Sequence, residues 1–156
     1  MIQQNKQLRM ENILSLRKKV TQIQMQQEMT RIGEILTKEG IKKNGNVVTA
    51  TFSVETQGGQ QLMDIEILVP LDRKIELPNE YNFKPIFNLV NAISIRHEGN
   101  PATFQATINQ LNEYISENSL QVITATYSEM VKEATGQENI NDMIIDIYVG
   151  VNPSIV

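Results

Sequence analysis

The sequence predicts an α+β fold made from two copies of one βαββ unit, and three observations carry that prediction. Val48-Thr49-Ala50-Thr51-Phe52-Ser53 recurs as Ile123-Thr124-Ala125-Thr126-Tyr127-Ser128. At an offset of 79 positions (96 − 17), Arg17 falls on Arg96, Leu16 on Ile95 and Leu14 on Ile93, while Met25, Met29, Ile32 and Leu36 fall on Phe104, Ile108, Leu111 and Ile115. Ile65-Glu66-Ile67 matches Ile145-Asp146-Ile147 at an offset of 80. The offset changes within 41–47 and 130–141, as loops of unequal length require. The chain therefore reads as one domain over 1–156, with a first unit at about 9–70, a connector at 71–85 and a second unit at about 86–153.

Each element has a local reason. Met10 to Val20 carries Ile13, Leu14 and Leu16 and reads as a strand whose buried part ends at Arg17-Lys18-Lys19. Thr21 stands three residues before Gln24, the spacing of a capping box, and Gly40 supplies the stop. Between them Met25, Met29, Ile32 and Leu36 form one apolar stripe, read as core. Lys42 to Asn46 is turn chemistry. Val48, Ala50, Phe52 and Val54 then alternate with polar residues, and Gln57-Gly58-Gly59-Gln60 predicts a tight hairpin. The return strand places Met63, Ile65, Ile67 and Val69 on one face, with Leu62, Asp64, Glu66 and Leu68 on the other, and Pro70 closes it.

The connector holds Pro78 and Pro85 and leads into a strand at Asn91 to Arg96. Asn100-Pro101 predicts a cap with proline at the first helical position of a helix over 101–117. Phe104, Ile108, Leu111 and Ile115 face inward on that helix. Strands at 121–129 and 142–150 complete the unit, joined by a polar surface loop at 131–141.

Composition narrows the function classes. A chain of 156 residues, 40% hydrophobic and 21% charged, can bury a core without cross-links. Without cysteine there is no disulfide, thiolate nucleophile or thiolate metal ligand. The start lacks a signal-peptide run and no stretch is long and apolar enough to cross a bilayer, so a cytoplasmic protein with no membrane partner is expected. Residues 1–45 carry nine Lys/Arg against four Glu, within a net charge of −4. No aromatic residue lies among them to stack on bases, so this is read as a solvated face and no nucleic-acid partner is expected.

Candidate chemistry centres on two acids. Glu66 and Asp146 occupy matching places on their strands, opposite the isoleucine stripes, and paired carboxylates can work together when burial separates their pKa values. Off the outer face of an antiparallel sheet they would simply be solvated. Tyr148 shares the face of Asp146 and offers an aromatic wall with a hydroxyl; Tyr127 replaces Phe52 and is read as core. His97 is the only histidine, too few for a zinc site, and is read as shaping a turn. No metal, cofactor or catalytic set is expected.

With His97-Glu98-Gly99 before the second helix and Asp146-Ile147-Tyr148-Val149 in the closing strand, the chain resembles the GyrI-like family of effector-binding domains from about residue 9 to 153. The resemblance implies the two βαββ units side by side, an antiparallel sheet with two helices on one side, and a central ligand cleft. It also implies an acid in that cleft, which here falls on Glu66 and Asp146, with Tyr148, Leu68 and Ile144 alongside as ligand-binding residues. The expected function is a stand-alone, non-enzymatic binder of a small organic, cationic or hydrogen-bond-donating molecule, either monomeric or a homodimer. The absence of tryptophan departs from sites that hold flat cationic drugs. The rival expectations are a module docking on a protein partner, and a small hydrolase using Glu66 or Asp146 as base.

Overall fold

A computed structural model describes residues 2–132 and 141–154. It is a mixed α+β structure, in the order β1 (Ile2–Val20), α1 (Gln22–Glu39), β2 (Val48–Gln57), β3 (Gln60–Pro70), β4 (Asn82–Glu98), a 3₁₀ turn (Pro101–Thr103), α2 (Phe104–Glu117), β5 (Val122–Lys132) and β6 (Ile144–Val151). Two compact units emerge: Arg9–Phe87, and Met1–Leu8 together with Asn88–Val156. No helix among the described residues is long and apolar enough to cross a membrane.

In the unit Arg9–Phe87, β3 pairs antiparallel with β1 on one side and β2 on the other. The hairpin turns on Gly58 and Gly59, whose φ values of 56° and 81° suit a tight two-residue turn between right-twisted strands. Thr21 accepts from the Gln24 backbone N–H while the Gln24 side chain accepts from that of Thr21, and Gly40 ends α1 in the left-handed conformation. Ile32 and Leu36 of the expected stripe are buried against Leu14, Leu16, Ile65, Ile67 and Val69, with Met25 and Met29 packed at the margin. Tyr81 and Leu71 from the connector close the same core.

In the other unit β6 pairs with β4 and β5, again antiparallel. Leu111 of α2 is buried against Ile93, Ile95, Ile145, Ile147, Val149 and Val151, and Phe104, Ile108 and Ile115 pack at its edge. Gly150 is required by close approach. A Cβ there would lie 2.5 Å from the Thr124 methyl, whose hydroxyl accepts the Gly150 N–H at 2.8 Å.

Several boundaries differ from expectation. β1 begins at Ile2 rather than near Met10, and β4 begins at Asn82, running through Pro85. The second helix opens as a separate 3₁₀ turn, capped by the Asn100 side chain on the Ala102 N–H, before α2 starts at Phe104. Asn12 and Asn91, 79 positions apart (91 − 12), both take positive φ, at 53° and 52°. Asparagine tolerates that region better than most residues. Most of the expected surface loop at 131–141 lies outside the described residues.

Candidate functional site

Strand periodicity builds the site. β6 turns Ile145, Ile147, Val149 and Val151 toward α2, so Ile144, Asp146, Tyr148 and Gly150 share its opposite face. Beside it β4 sets Ser94 against Tyr148, Arg96 against Asp146 and Glu98 against Ile144. These strands and the start of β1 enclose a hollow of about 610 Å³. Its lining is Ser94, Arg96 and Glu98 from β4, Asp146 and Tyr148 from β6, and Gln3 and Lys6 from β1. Ile144 is half-buried on the same face but does not line the hollow.

The lining divides into groups that hold one another and groups that do not. Arg96 grips Asp146 through two parallel bonds, Nε to Oδ1 at 2.7 Å and Nη2 to Oδ2 at 2.9 Å. The Asp146 bond and charge hold the guanidinium pKa well above its ordinary value. The Tyr148 hydroxyl donates to Glu129 Oε1 at 3.1 Å. Burial pushes the Tyr148 phenol far up from its ordinary range, and the charges of Glu129 and Asp146 push the same way. It is therefore a fixed, protonated donor at neutral pH. By contrast the side chains of Gln3, Lys6, Ser94 and Glu98 form no hydrogen bond or ion pair with a described residue, though the Glu98 charge helps to raise the Arg96 pKa.

Glu66 and Leu68 belong to the other unit. Glu66 is not solvated: it is only 8% exposed, and its Oε2 accepts from Ser15 Oγ and from Lys84 Nζ, each at 2.5 Å. The register sets Arg17 across from Glu66, yet the guanidinium goes to Asp64 at 3.3 and 3.1 Å and lies 3.8 Å over the Phe52 ring. Leu68 is fully buried and offers no surface to a ligand. The structure thus brings Asp146 and Tyr148 together at the hollow. Asp146, expected to receive a cation from outside, already holds one in Arg96.

His97 is turned away from this chemistry. It is 2% exposed, with Nδ1 2.7 Å from Thr107 Oγ1, Nε2 3.2 Å from the Asn100 carbonyl oxygen and the Phe104 ring edge-on. A carbonyl can only accept, so Nε2 donates to it, while Nδ1 is engaged by the Thr107 hydroxyl. Both nitrogens are committed to the turn. Among the described residues no group of three or more His, Cys, Asp or Glu could hold a metal.

Sequence reasoning missed Gln3 and Lys6, since a start as polar as Gln3-Gln4-Asn5-Lys6-Gln7 carries no strand periodicity. Ser94 and Glu98 were within reach: they follow from the period of β4 once Arg96 is placed on the Asp146 face.

The fold is shared by solved α+β structures of low sequence identity. The C-terminal domain of EcmrR matches with a TM-score of 0.78 at 14% identity, over 99% of this chain and 98% of that one. EcmrR in its complex with DNA matches with a TM-score of 0.76 at 15% identity, over 98% of this chain, which spans 58% of the length of that one. A hydrolase from Listeria innocua matches with a TM-score of 0.59 at 11% identity, over 97% of this chain and 91% of that one. At these identities the likeness is one of fold. No family model matches the chain, and no curated protein matches it.

Proposed function

We propose that this chain is a non-enzymatic small-molecule-binding protein of the effector-binding kind, two copies of a GyrI-like βαββ unit, acting in the cytoplasm. Its ligand occupies the hollow beside Asp146 and Tyr148. The observation that carries this reading is the division of labour within the lining. Arg96 and Asp146 hold one another and Glu129 holds Tyr148, while the side chains of Gln3, Lys6, Ser94 and Glu98 form no hydrogen bond or ion pair with a described residue around about 610 Å³ of space. A fixed frame with a few unspent polar groups, in a volume of that order, is what a small-ligand site needs. The resemblance at His97-Glu98-Gly99 and in the closing strand supports the reading, as does the fold held in common with the EcmrR C-terminal domain.

A thermal-shift screen against small cations, anions, zwitterions and neutral metabolites tests it. A ligand at a hundred times its Kd stabilises the fold by about 2.7 kcal/mol, which for a domain of this size is a rise of roughly 5–10 °C. Asp146→Asn, which removes one side of the Arg96 clamp, should weaken that shift. If no compound stabilises the protein, or the variant leaves every shift unchanged, the proposal fails.

A further inference from the structure

We infer that the ligand of this hollow is a small zwitterion, its anionic end held by Lys6 and Ser94 and its cationic end by Glu98. The inference rests on the binding reading above and narrows it.

Four charged side chains line the hollow: Lys6, Arg96, Glu98 and Asp146. Two of them cancel, because the Arg96–Asp146 pair is bidentate and shares its charge internally. What faces an incoming molecule is one ammonium, from β1, and one carboxylate, from β4; neither forms a hydrogen bond or ion pair with a described residue, and Glu98 only feels the charge of the already engaged Arg96. A plain cation would find Glu98 but would also meet the like charge of Lys6. A plain anion would find Lys6 and meet Glu98. A molecule carrying both charges satisfies the two at once and leaves no like-charge contact, which is how a site discriminates by repulsion as well as attraction.

The neutral groups fit the same occupant. Ser94 has a hydroxyl that can donate to a carboxylate, and Gln3 offers an amide that can donate or accept. Arg96 uses two of its five N–H donors on Asp146, so others remain to reinforce the anionic end. Tyr148 contributes the only aromatic surface of the lining and its hydroxyl is already engaged by Glu129. One ring is not an aromatic cage, so a bulky apolar cation has little here to replace its lost hydration.

The test uses the whole chain and three matched probe series in titration calorimetry. One is the ω-amino acids from glycine to aminohexanoate. The others are the carboxylates lacking the amine and the alkylammonium ions lacking the carboxylate. The expected result is that the best ω-amino acid binds at least about tenfold tighter than both of its single-charge analogues, a difference of about 1.4 kcal/mol or more. Lys6→Gln should erase its advantage over the ammonium probe, and Glu98→Gln its advantage over the carboxylate. If an ammonium or carboxylate binds as tightly as its amino acid, the zwitterion assignment is wrong while the hollow remains a binding site. The assignment is equally wrong if no probe of any series binds but another metabolite stabilises the protein in an Asp146-dependent way. If nothing binds at all, the binding reading falls with it.

Discussion

Replacing Tyr148 by phenylalanine should flatten the alkaline side of the stability profile. The phenol is only 7% exposed, and burial, followed by the charges of Glu129 and Asp146, raises its pKa above the ordinary value of 10. In the unfolded chain it ionises near that ordinary value, while in the folded chain it keeps its proton. Above about pH 10 the unfolded state therefore binds fewer protons than the folded one, and stability declines as pH rises. The contribution of the protonated phenol is fully present below that pH and is lost above it, at about 1.4 kcal/mol per pH unit. At about pH 11 the accumulated loss from this one residue is about 1.4 kcal/mol. Tyr81 is shifted the same way, chiefly by burial, and remains in both proteins, so only the difference between them reports Tyr148. At neutral pH Tyr148→Phe should cost about 1–3 kcal/mol, from the lost bond to Glu129. Urea unfolding of both proteins at about pH 8 and 11 measures the change, and absorbance titration of the tyrosinates gives the ionisation directly. The deficit of the variant should shrink by about 1.4 kcal/mol between the two conditions. An unchanged deficit, or a Tyr148 that titrates near its ordinary value, would refute the buried, carboxylate-flanked placement.

Two further substitutions read other parts of the structure. Gly150→Ala brings a Cβ to 2.5 Å from Thr124 Cγ2 and 3.1 Å from Leu89 Cδ1, and should destabilise by about 1–3 kcal/mol in thermal or urea unfolding. Adding Thr124→Ser removes the offending methyl and should recover part of that loss, which a double-mutant cycle would show as coupling between the sites. Lys84→Ala removes the counter-ion of the buried Glu66 and leaves it the Ser15 hydroxyl; a cost of about 1–3 kcal/mol is expected, between exposed and buried pairs. Glu66→Gln in the same chain should restore most of it, and no restoration would show that the charge is not what matters.

The elements that were legible in the sequence are those whose ends are set by local chemistry. α1 is bounded by Thr21 and Gln24 at one end and Gly40 at the other, and the β2–β3 turn needs only Gly58 and Gly59. Nothing local marks where β1 or β4 begins. The polar run from Gln3 to Gln7 and the stretch around Pro85 become strands through pairing, and pairing is a tertiary decision that propensity cannot see. The same limit governs the site. Asp146 and Tyr148 follow from the two-residue period of β6, but Lys6 reaches the hollow only because β1 extends nearly to the start of the chain. The burial of Glu66 was hidden because its cation, Lys84, lies in a segment that reads as connector.

The two acids aligned by the internal repeat end in opposite states, and one position accounts for it. Arg17 faces Glu66 and Arg96 faces Asp146 across equivalent strand pairs. Two residues before the acid, the first unit has Asp64 and the second has Ile144. Asp64 offers Arg17 a second, more exposed carboxylate, and the bond to Arg17 holds the Asp64 pKa below its ordinary value. Glu66 is then left to Ser15 and Lys84, which close over it. Ile144 offers Arg96 nothing, so the guanidinium closes on Asp146 directly and cancels its charge. Lys6 and Glu98 are then the charged side chains of the lining that form no ion pair with a described residue. An acid that looks in sequence like the receptor for a cation therefore works as a strut, and the character of the site passes to residues that lie outside the repeat signal.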